Sequence, residues 1–301
     1  MLHNDKELFE QIVLKTADDM GIEVGIVEKD YFVTMFLRHI VQRQPDIIFK
    51  GGTSLSKCYG LIQRFSEDID LNIEGDAKPT EGQRRRLKEN IVAAIDECSF
   101  VLTNPEEIRS RRDFNKYVVD YPTVFDASYL KRHLIVETAV YLRAYPSKRM
   151  KAGSYVYDYL LKNHLDELIA EHNITPFELN VQAAERTFVD KVFALGDYYL
   201  SGAIQEHSRH IYDLYKLLGV VELDDSMRDL AMVVAEERKP HKTCLSVQDG
   251  VSMQQLLKEI IQQDVYKADY EGKTSSLLFE TVPYTEAITA LKTIADSGIF
   301  R

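Results

Sequence analysis

A pair of glycines and a pair of aspartates, each beside a short apolar segment, constrain the fold of this chain most strongly. Residues 47–49 (Ile-Ile-Phe) predict a buried strand that ends at Gly51 and Gly52. Residues 68–73 alternate polar and apolar side chains, which predicts a second, half-buried strand. Between them, residues 53–63 have the apolar spacing of a helix. The sequence therefore predicts strand, helix and strand in succession, with the glycine pair after the first strand and the aspartate pair in the second.

The remaining periodicities predict the order of the other elements. Helices are expected near residues 6–20, 28–42 and 84–98, and β-branched and aromatic residues predict strands within 115–143. Beyond residue 155 the pattern is almost wholly helical, in segments near 181–200, 205–218, 226–237, 251–264 and 284–297. This order is typical of an α+β protein with a small mixed β-sheet and flanking helices, followed by a mostly α-helical C-terminal domain. We place the domains at residues 1–165 and 166–301.

The second predicted strand presents carboxylates on one face. In a strand, Asp68, Asp70 and Asn72 share one side, and the three apolar residues between and after them share the other. The two carboxylates then lie roughly 7 Å apart along the strand, and they repel each other unless a cation lies between them. Mg²⁺ is commonly bound by one or two carboxylates together with substrate phosphates. The pattern favours metal-assisted transfer from a nucleotide; the alternative is two solvated aspartates on an edge strand.

The glycine pair predicts an anion site at the start of a helix. A strand that ends in Gly51 and Gly52 lets the backbone approach a ligand closely, and the first turn of the helix has free N–H groups. Thr53, Ser54 and Ser56 add hydroxyl donors. The alternative is an ordinary helix N-cap formed by Thr53 or Ser54. A P-loop is excluded because no Gly-Lys-Ser/Thr follows at the required interval.

Charge and cysteine content restrict the partners and the compartment. The net charge of −11 (37 Lys and Arg against 48 Asp and Glu) argues against a nucleic-acid partner. Residues 104–151 are an exception, because ten Lys and Arg against six Asp and Glu give this segment a net charge of +4. A local basic surface of this kind is compatible with a phosphate backbone, or is simply a solvated charged face. Three scattered cysteines predict free thiols in a reducing compartment, and no apolar run predicts a membrane span. We therefore expect a cytoplasmic protein.

Several blocks together resemble a known family. Glycines and Thr53 followed by Asp68-x-Asp70 are similar to the signature of DNA polymerase β-type nucleotidyltransferases. More narrowly, the chain resembles the AbiEii/AbiGii toxins of abortive infection and type IV toxin–antitoxin systems. The similar blocks lie in order between residues 28 and 218. They are Glu-Lys-Asp-Tyr at 28–31, Phe-Lys-Gly-Gly-Thr-Ser-Leu-Ser-Lys at 49–57, Arg-Phe-Ser-Glu-Asp-Ile-Asp-Leu at 64–71, Glu-Arg-Thr-Phe-Val-Asp-Lys at 185–191 and Ser-Arg-His-Ile-Tyr-Asp-Leu-Tyr at 208–215.

This resemblance implies a nucleotidyltransferase fold that uses an NTP and Mg²⁺, or Mn²⁺ in its place. It assigns the metal to Asp68 and Asp70, and catalytic roles to these two aspartates, Lys191 and Asp213. The residues that it assigns to nucleotide binding are Gly51, Gly52, Thr53, Ser54, Lys57 and Ser66. Several relatives transfer nucleotides to the 3′ end of tRNA, which blocks translation, so the resemblance implies an RNA acceptor and a cognate antitoxin. Ser66 lies two residues before Asp68, where related toxins can be phosphorylated as a restraint.

The residues themselves leave some of these roles open. Lys191 lies on a largely apolar helix face, so it either extends to solvent or points into a site that needs positive charge. Asp213 either has a catalytic role or pairs with Arg209 one turn earlier. Polymerase-type sites have a further carboxylate on a neighbouring strand, and Glu137 is the expected residue, either as base for the attacking hydroxyl or as an ordinary strand glutamate.

Three functions follow, in order of preference. The first is a Mg²⁺-dependent nucleotidyltransferase toxin that modifies an RNA end, such as that of tRNA. The second is a related transferase that acts on a protein or small-molecule hydroxyl, which the acidic composition keeps open. The third is a non-catalytic module that binds a partner with the same fold.

Overall fold

The structure, a computed structural model, describes residues 1–66, 68–75, 79–125 and 133–300. It divides into two compact units, which we call the sheet unit (Met1–Tyr59 and Ser66–Val181) and the helical unit (Gly60–Phe65 and Gln182–Arg301). The boundary predicted after residue 165 differs from this division, because residues 166–181 include a strand of the sheet. Each unit is described by itself below.

In the described part of the chain, seven strands form one mixed sheet in the order β3-β4-β5-β2-β1-β7-β6. The strands are β1 (Ile47–Lys50), β2 (Asp68–Ile73), β3 (Val101–Leu102), β4 (Phe114–Asp120), β5 (His133–Ala139), β6 (Ser147–Ala152) and β7 (Phe177–Gln182). β2 is antiparallel to β1 on one side and parallel to β5 on the other. The aspartate strand is therefore central, not an edge strand, and the mixed α+β architecture is confirmed.

Helices cover the sheet and supply much of its core. They are α1 (Lys6–Met20), α2 (Val24–Arg43), α3 (Gly51–Lys57), α4 (Glu81–Glu97), α5 (Tyr155–Lys162) and α6 (Asp166–Glu171). Phe32 and Phe36 of α2 are fully buried, and they belong to one apolar cluster with Phe49 of β1 and Ile69 of β2. Burial of large apolar side chains is the main favourable contribution to folding. α2 and the sheet strands therefore fix the position of β2 from one side.

The helical unit contains short helices around a core of its own. They are α7 (Ala184–Ser201), α8 (Arg209–Leu217), α9 (Asp225–Arg238), α10 (Met253–Gln262), α11 (Lys267–Asp269), α12 (Ser275–Leu277), α13 (Tyr284–Ala287) and α14 (Thr289–Ser297). Its core includes Val192 and Leu195 of α7, Leu214 of α8 and Leu291 of α14, all fully buried. None of the described helices is both long and apolar enough to cross a bilayer.

The segment 60–65 belongs with these helices although it lies between α3 and β2 in the sequence. The backbone N–H of Gln63 donates to the Tyr212 hydroxyl of α8 at 2.9 Å, and Arg64 forms a β-bridge with Leu278. The predicted helix over 53–63 is therefore too long, since α3 ends at Lys57. Gly60, with φ of +63°, turns the chain in a conformation that only glycine adopts easily.

The strands of the structure differ in how well the sequence predicted them. The strand at Asp68–Ile73 has the predicted bounds, and Ile69 and Leu71 are fully buried. β7 was not predicted, because Glu178 and Asn180 weaken its strand pattern. Cys58, Cys98 and Cys244 are free thiols, as the sequence predicts.

Candidate active site

Asp68, Asp70 and Glu137 lie on two neighbouring parallel strands. Asp70 is directly opposite Glu137, and Asp68 is two residues earlier on the same strand. Residues opposite each other across a sheet share a face, as do alternate residues of one strand. The three carboxylates therefore occupy one face of the β2–β5 pair.

The electrostatic surroundings of Glu137 reflect this crowding. Burial raises the pKa of its carboxyl, and the charges of Asp70 and Asp68 raise it further, while Lys116 and Lys50 oppose the shift. Like charges on neighbouring groups disfavour ionisation of each. Asp68 and Asp70 are thus close enough to affect the ionisation of Glu137.

The donor set suits a hard divalent cation that arrives with further oxygen ligands. Within the described residues, no three His, Cys, Asp or Glu side chains converge so as to hold a metal ion by themselves. Mg²⁺ ordinarily takes one or two carboxylates and completes its shell with waters and substrate phosphates. Asp68 and Asp70 fit that pattern, since both are half-buried carboxylates on a polar strand face.

Gly51 is required by the position of Asp70. A Cβ atom at residue 51 would lie 2.0 Å from Asp70 Oδ2, which is shorter than any non-bonded contact between a carbon and an oxygen atom. The residue also has φ of +74°, in the left-handed region. The group close to Gly51 is thus the Asp70 carboxylate, and the predicted approach of a ligand anion to this glycine stays a prediction.

The hydroxyls after the glycines bind within the protein. Thr53 Oγ1 lies 2.5 Å from the Asp68 carbonyl oxygen and 2.9 Å from Ser66 Oγ, so it ties α3 to the start of β2. Ser54 Oγ donates to the carbonyl oxygen of Gly51 at 2.8 Å. The N-cap of α3 is Lys50 and has no side-chain cap, so the alternative of a Thr53 or Ser54 cap is wrong.

Lys57 has protein partners that account for its charge. Its ammonium group contacts Asp30 Oδ1 at 2.5 Å, Thr34 Oγ1 at 2.6 Å and the Gly153 carbonyl oxygen at 3.1 Å. The other carboxylate oxygen of Asp30 accepts from the Tyr155 backbone N–H at 2.9 Å. Only 4% of the Lys57 side chain is exposed. Its assignment to nucleotide binding stays a prediction, and these contacts support a structural role instead.

The first block of the family resemblance has a structural role of the same kind. Glu28 is buried, and its carboxylate accepts from Thr123 Oγ1 and from the Val124 backbone N–H, both at 2.6 Å. Burial raises the pKa of Glu28, while these hydrogen bonds lower it. Glu28 therefore anchors residues 123 and 124 to α2.

A second polar group lies in the helical unit around Asp213. Arg64 binds this carboxylate through two N–H···O bonds, from Nε at 2.7 Å and from Nη2 at 2.8 Å. Lys191 Nζ lies 2.6 Å from Asp213 Oδ2 and 3.3 Å from His210 Nδ1. Because an ammonium group only donates, His210 Nδ1 is the acceptor. Asp213 is thus shared by two cations.

Burial and charge set the ionisation of this group. Burial alone would raise the pKa of Asp213, but Arg64 and Lys191 hold it well below its usual range. Burial lowers the pKa of Lys191, which the charge of Asp213 opposes. The pKa of His210 is lowered well below its usual value, first by burial and then by Lys191. Asp213 is therefore ionised and His210 neutral.

A family model described as "Nucleotidyl transferase AbiEii toxin, Type IV TA system" matches residues 36–291 of the 301. The chain belongs to this family. It is thus a nucleotidyltransferase of a toxin–antitoxin type, and the resemblance of its motifs to the AbiEii family is confirmed.

The fold agrees with a solved structure of a toxin with the same named activity. The chain is similar to MenT4, a nucleotidyltransferase toxin from Mycobacterium tuberculosis H37Rv, with a TM-score of 0.55 and 14% sequence identity. The similarity covers 95% of this chain and 88% of that one, and at this identity it concerns the fold. No curated protein matches the sequence significantly.

Three residues around these AbiEii-family groups were not singled out from the sequence. Arg64 lies within a family block, but its pairing with Asp213 joins residues 149 positions apart. Lys50 and Lys116 become neighbours of the acidic group only through strand register. Their signal in the sequence is weak, because a lysine on a strand is usually a solvated residue.

Proposed function

We propose that this AbiEii-family protein is a divalent-metal-dependent nucleotidyltransferase that moves a nucleotide from an NTP to an RNA 3′ end, such as that of tRNA, with release of pyrophosphate, and so blocks translation. The placement of Asp68, Asp70 and Glu137 on one face of two adjacent strands carries the proposal. Such a face offers hard oxygen ligands and a base side by side. Family membership supports an NTP as donor. The RNA acceptor rests on the family resemblance of the motifs.

Each site residue of the sheet unit has a proposed role. Asp68 and Asp70 would hold Mg²⁺ or Mn²⁺, which when bound offsets the negative charge of the triphosphate. Glu137 accepts the proton of the attacking hydroxyl, and its raised pKa makes it a stronger base than an ordinary carboxylate. Gly51 leaves room for the Asp70 carboxylate, and Thr53 holds the start of the aspartate strand.

The nucleotide phosphates are expected to contact the backbone at Gly51 and Gly52 and the adjoining hydroxyl residues Thr53 and Ser54. Ser66 contacts Thr53 directly. A phosphoryl group on Ser66 would place about two negative charges beside the carboxylates, which would oppose triphosphate binding. Phosphorylation of Ser66 would therefore inhibit the enzyme. We also propose that the protein has a cognate antitoxin as a partner.

Lys191 and Asp213 keep their proposed catalytic roles on the geometry of the helical unit alone. An ammonium group has three N–H donors. Among the described residues, Asp213 and His210 accept two of the three from Lys191. The third is the donor that a catalytic role of Lys191 would use. Asp213 acts by holding Lys191 in its charged form, because its own carboxylate is ionised.

Labelled nucleotide transfer tests the proposal. We expect incubation with Mg²⁺, total tRNA and each of the four labelled NTPs to label the RNA for at least one NTP. Asp68→Ala is expected to abolish transfer, whereas Asp225→Ala, at a 91% exposed side chain, is expected to keep it. Absence of transfer with every NTP, or equal transfer by Asp68→Ala, would contradict the proposal. Label in protein instead of RNA would favour a protein hydroxyl as acceptor.

A further inference from the structure

Two lysines flank the acidic group in a row that crosses four neighbouring strands. Lys116 of β4 is directly opposite Glu137 of β5, Glu137 is opposite Asp70 of β2, and Asp70 is opposite Lys50 of β1. Directly opposite residues share a face of the sheet. The face therefore has the order lysine, glutamate, aspartate, lysine.

Lys116 is close enough to act on the carboxylate opposite it. Lys116 Nζ lies 3.8 Å from Glu137 Oε1, and 49% of the Lys116 side chain is exposed. The four residues of this row and the neighbouring Asp68 together have three carboxylates and two ammonium groups, so that these five side chains sum to one negative charge. A divalent cation alone would therefore meet carboxylates whose charge the two lysines already largely neutralise.

The charges act differently on a cation that is bound to a triphosphate. The nucleotide contributes several negative charges, which the two ammonium groups attract, and its oxygens complete a shell that no three acidic, His or Cys side chains of the described residues provide. The alternative is that these residues form ordinary cross-strand ion pairs, which contribute a little to the stability of the sheet and nothing to metal binding. The row differs because its lysines flank the proposed base Glu137 and the proposed metal ligand Asp70.

We propose that Lys50 and Lys116 make this face select the metal–nucleotide complex over the bare metal ion. They weaken binding of the ion alone by repulsion, and they strengthen binding of the complex by attracting the triphosphate. This inference rests on the proposed function, since it names how the same site chooses its ligand. Neither lysine need take part in the chemical step.

Metal binding, measured without any reaction, tests the proposal. Free Mn²⁺ is followed by electron paramagnetic resonance at low ionic strength, alone and with non-hydrolysable analogues of each NTP. For Lys116→Met, which keeps length and removes charge, we expect bare Mn²⁺ to bind about threefold more tightly and the Mn²⁺–analogue complex about threefold more weakly. Lys50→Met is expected to shift both affinities in the same directions.

Lys151→Met is the matched control, because Lys151 is an exposed lysine of β6 at the opposite edge of the same sheet. Both affinities are expected to stay as in the unmodified protein. If Lys116→Met and Lys50→Met leave the affinity for bare Mn²⁺ unchanged or reduce it, while the complex still binds, the inference fails and the proposed function stands. If the unmodified protein binds neither Mn²⁺ nor any Mn²⁺–analogue complex, both fail.

Discussion

Residue 51 must be glycine for two reasons: its backbone is left-handed, and the Asp70 carboxylate occupies the space of a Cβ atom. Gly51→Ala adds a methyl group where Asp70 Oδ2 now lies, so Asp70 must move. We expect the rate of nucleotide transfer to fall at least about 100-fold, because misplacing a reacting group by about 1 Å has an effect of that size. Transfer assays and urea unfolding of the same variant measure the two consequences separately.

Gly60→Ala is the control for backbone strain. Gly60 has φ of +63°, but a Cβ there meets nothing within 4 Å. Both variants should lose about 1 kcal/mol of stability from the left-handed conformation, while only Gly51→Ala should lose most activity. Equal activity losses in the two variants would show that Asp70 placement is not the reason.

Asp213 is the buried anion on which two cations depend. Asp213→Asn keeps the shape of the side chain and removes the negative charge that buried Arg64 and Lys191 share. The expected loss is about 3–5 kcal/mol in the free energy of unfolding at pH 7, measured by urea denaturation. Asp225→Asn removes a 91% exposed partner of Arg228 and should change stability by less than about 0.5 kcal/mol.

The stabilisation from Asp213 has a predictable pH dependence. Its pKa is depressed in the folded state, so the contribution is complete above the unfolded value of about 3.9 and is lost as the pH falls below it. The stability difference between the unmodified protein and Asp213→Asn should therefore narrow by about 1.4 kcal/mol per pH unit below about pH 4. A difference that stays constant down to pH 2.5 would contradict an ionised, paired Asp213.

At the scale of elements, the β2–β5 pair holds the Glu137 carboxylate in a position where its ionisation is unfavourable for stability. Glu137→Gln is expected to slow transfer by about 10²–10⁴-fold, the usual contribution of a general base. The melting temperature should stay unchanged or rise, because burial and the charges of Asp70 and Asp68 oppose ionisation of Glu137. Initial transfer rates and thermal unfolding of Glu137→Gln measure the expected loss of activity and the expected change in melting temperature.

Glu178→Gln provides the comparison on β7. Glu178 lies 3.5 Å from Arg149, its side chain is 60% exposed, and its removal should leave both activity and melting temperature nearly unchanged. A clear fall in the melting temperature of Glu137→Gln would mean that Glu137 has a stabilising role instead.

The element pattern shows what the sequence could and could not predict. Alternation within residues 68–73 was sufficient to predict β2 and the shared face of Asp68 and Asp70, because a strand has a fixed period of two residues. The neighbours of β2 were not predictable, because Glu137 is opposite Asp70 only through a register between strands far apart in sequence. Glu137 was named from the family resemblance, whereas Lys50 and Lys116 were not named at all.

At the scale of the whole molecule, the helical unit is not a continuous piece of chain. Residues 60–65 supply Arg64 to Asp213 and the Gln63 N–H to Tyr212. Residues 182–301 made alone should therefore lack a cooperative urea unfolding transition, because Asp213 and Lys191 would have lost the Arg64 partner of their buried group. Joining residues 58–67 to this fragment through a Gly/Ser linker should restore cooperative unfolding.

The same fragment with Arg64→Met in the joined segment is the control, since it keeps the length of the side chain and loses the guanidinium. It should unfold like the fragment without the segment. Cooperative unfolding of residues 182–301 by themselves would show that the segment is dispensable. A boundary after residue 165 could not have revealed this, because periodicity identifies helices and strands but not the unit with which a connecting segment packs.

The separation of Arg64 from Asp213 also sets an order of events during synthesis. Their codons are 149 apart, so at ordinary translation rates Asp213 is made about 7–30 s after Arg64. During that interval the growing chain already contains Asp68 and Asp70, while Arg64 still lacks its carboxylate. A message cut before codon 213 would yield the acidic strand without the group that holds Lys191. Until codon 213 has been translated, the buried group of Arg64, Lys191 and Asp213 therefore cannot form.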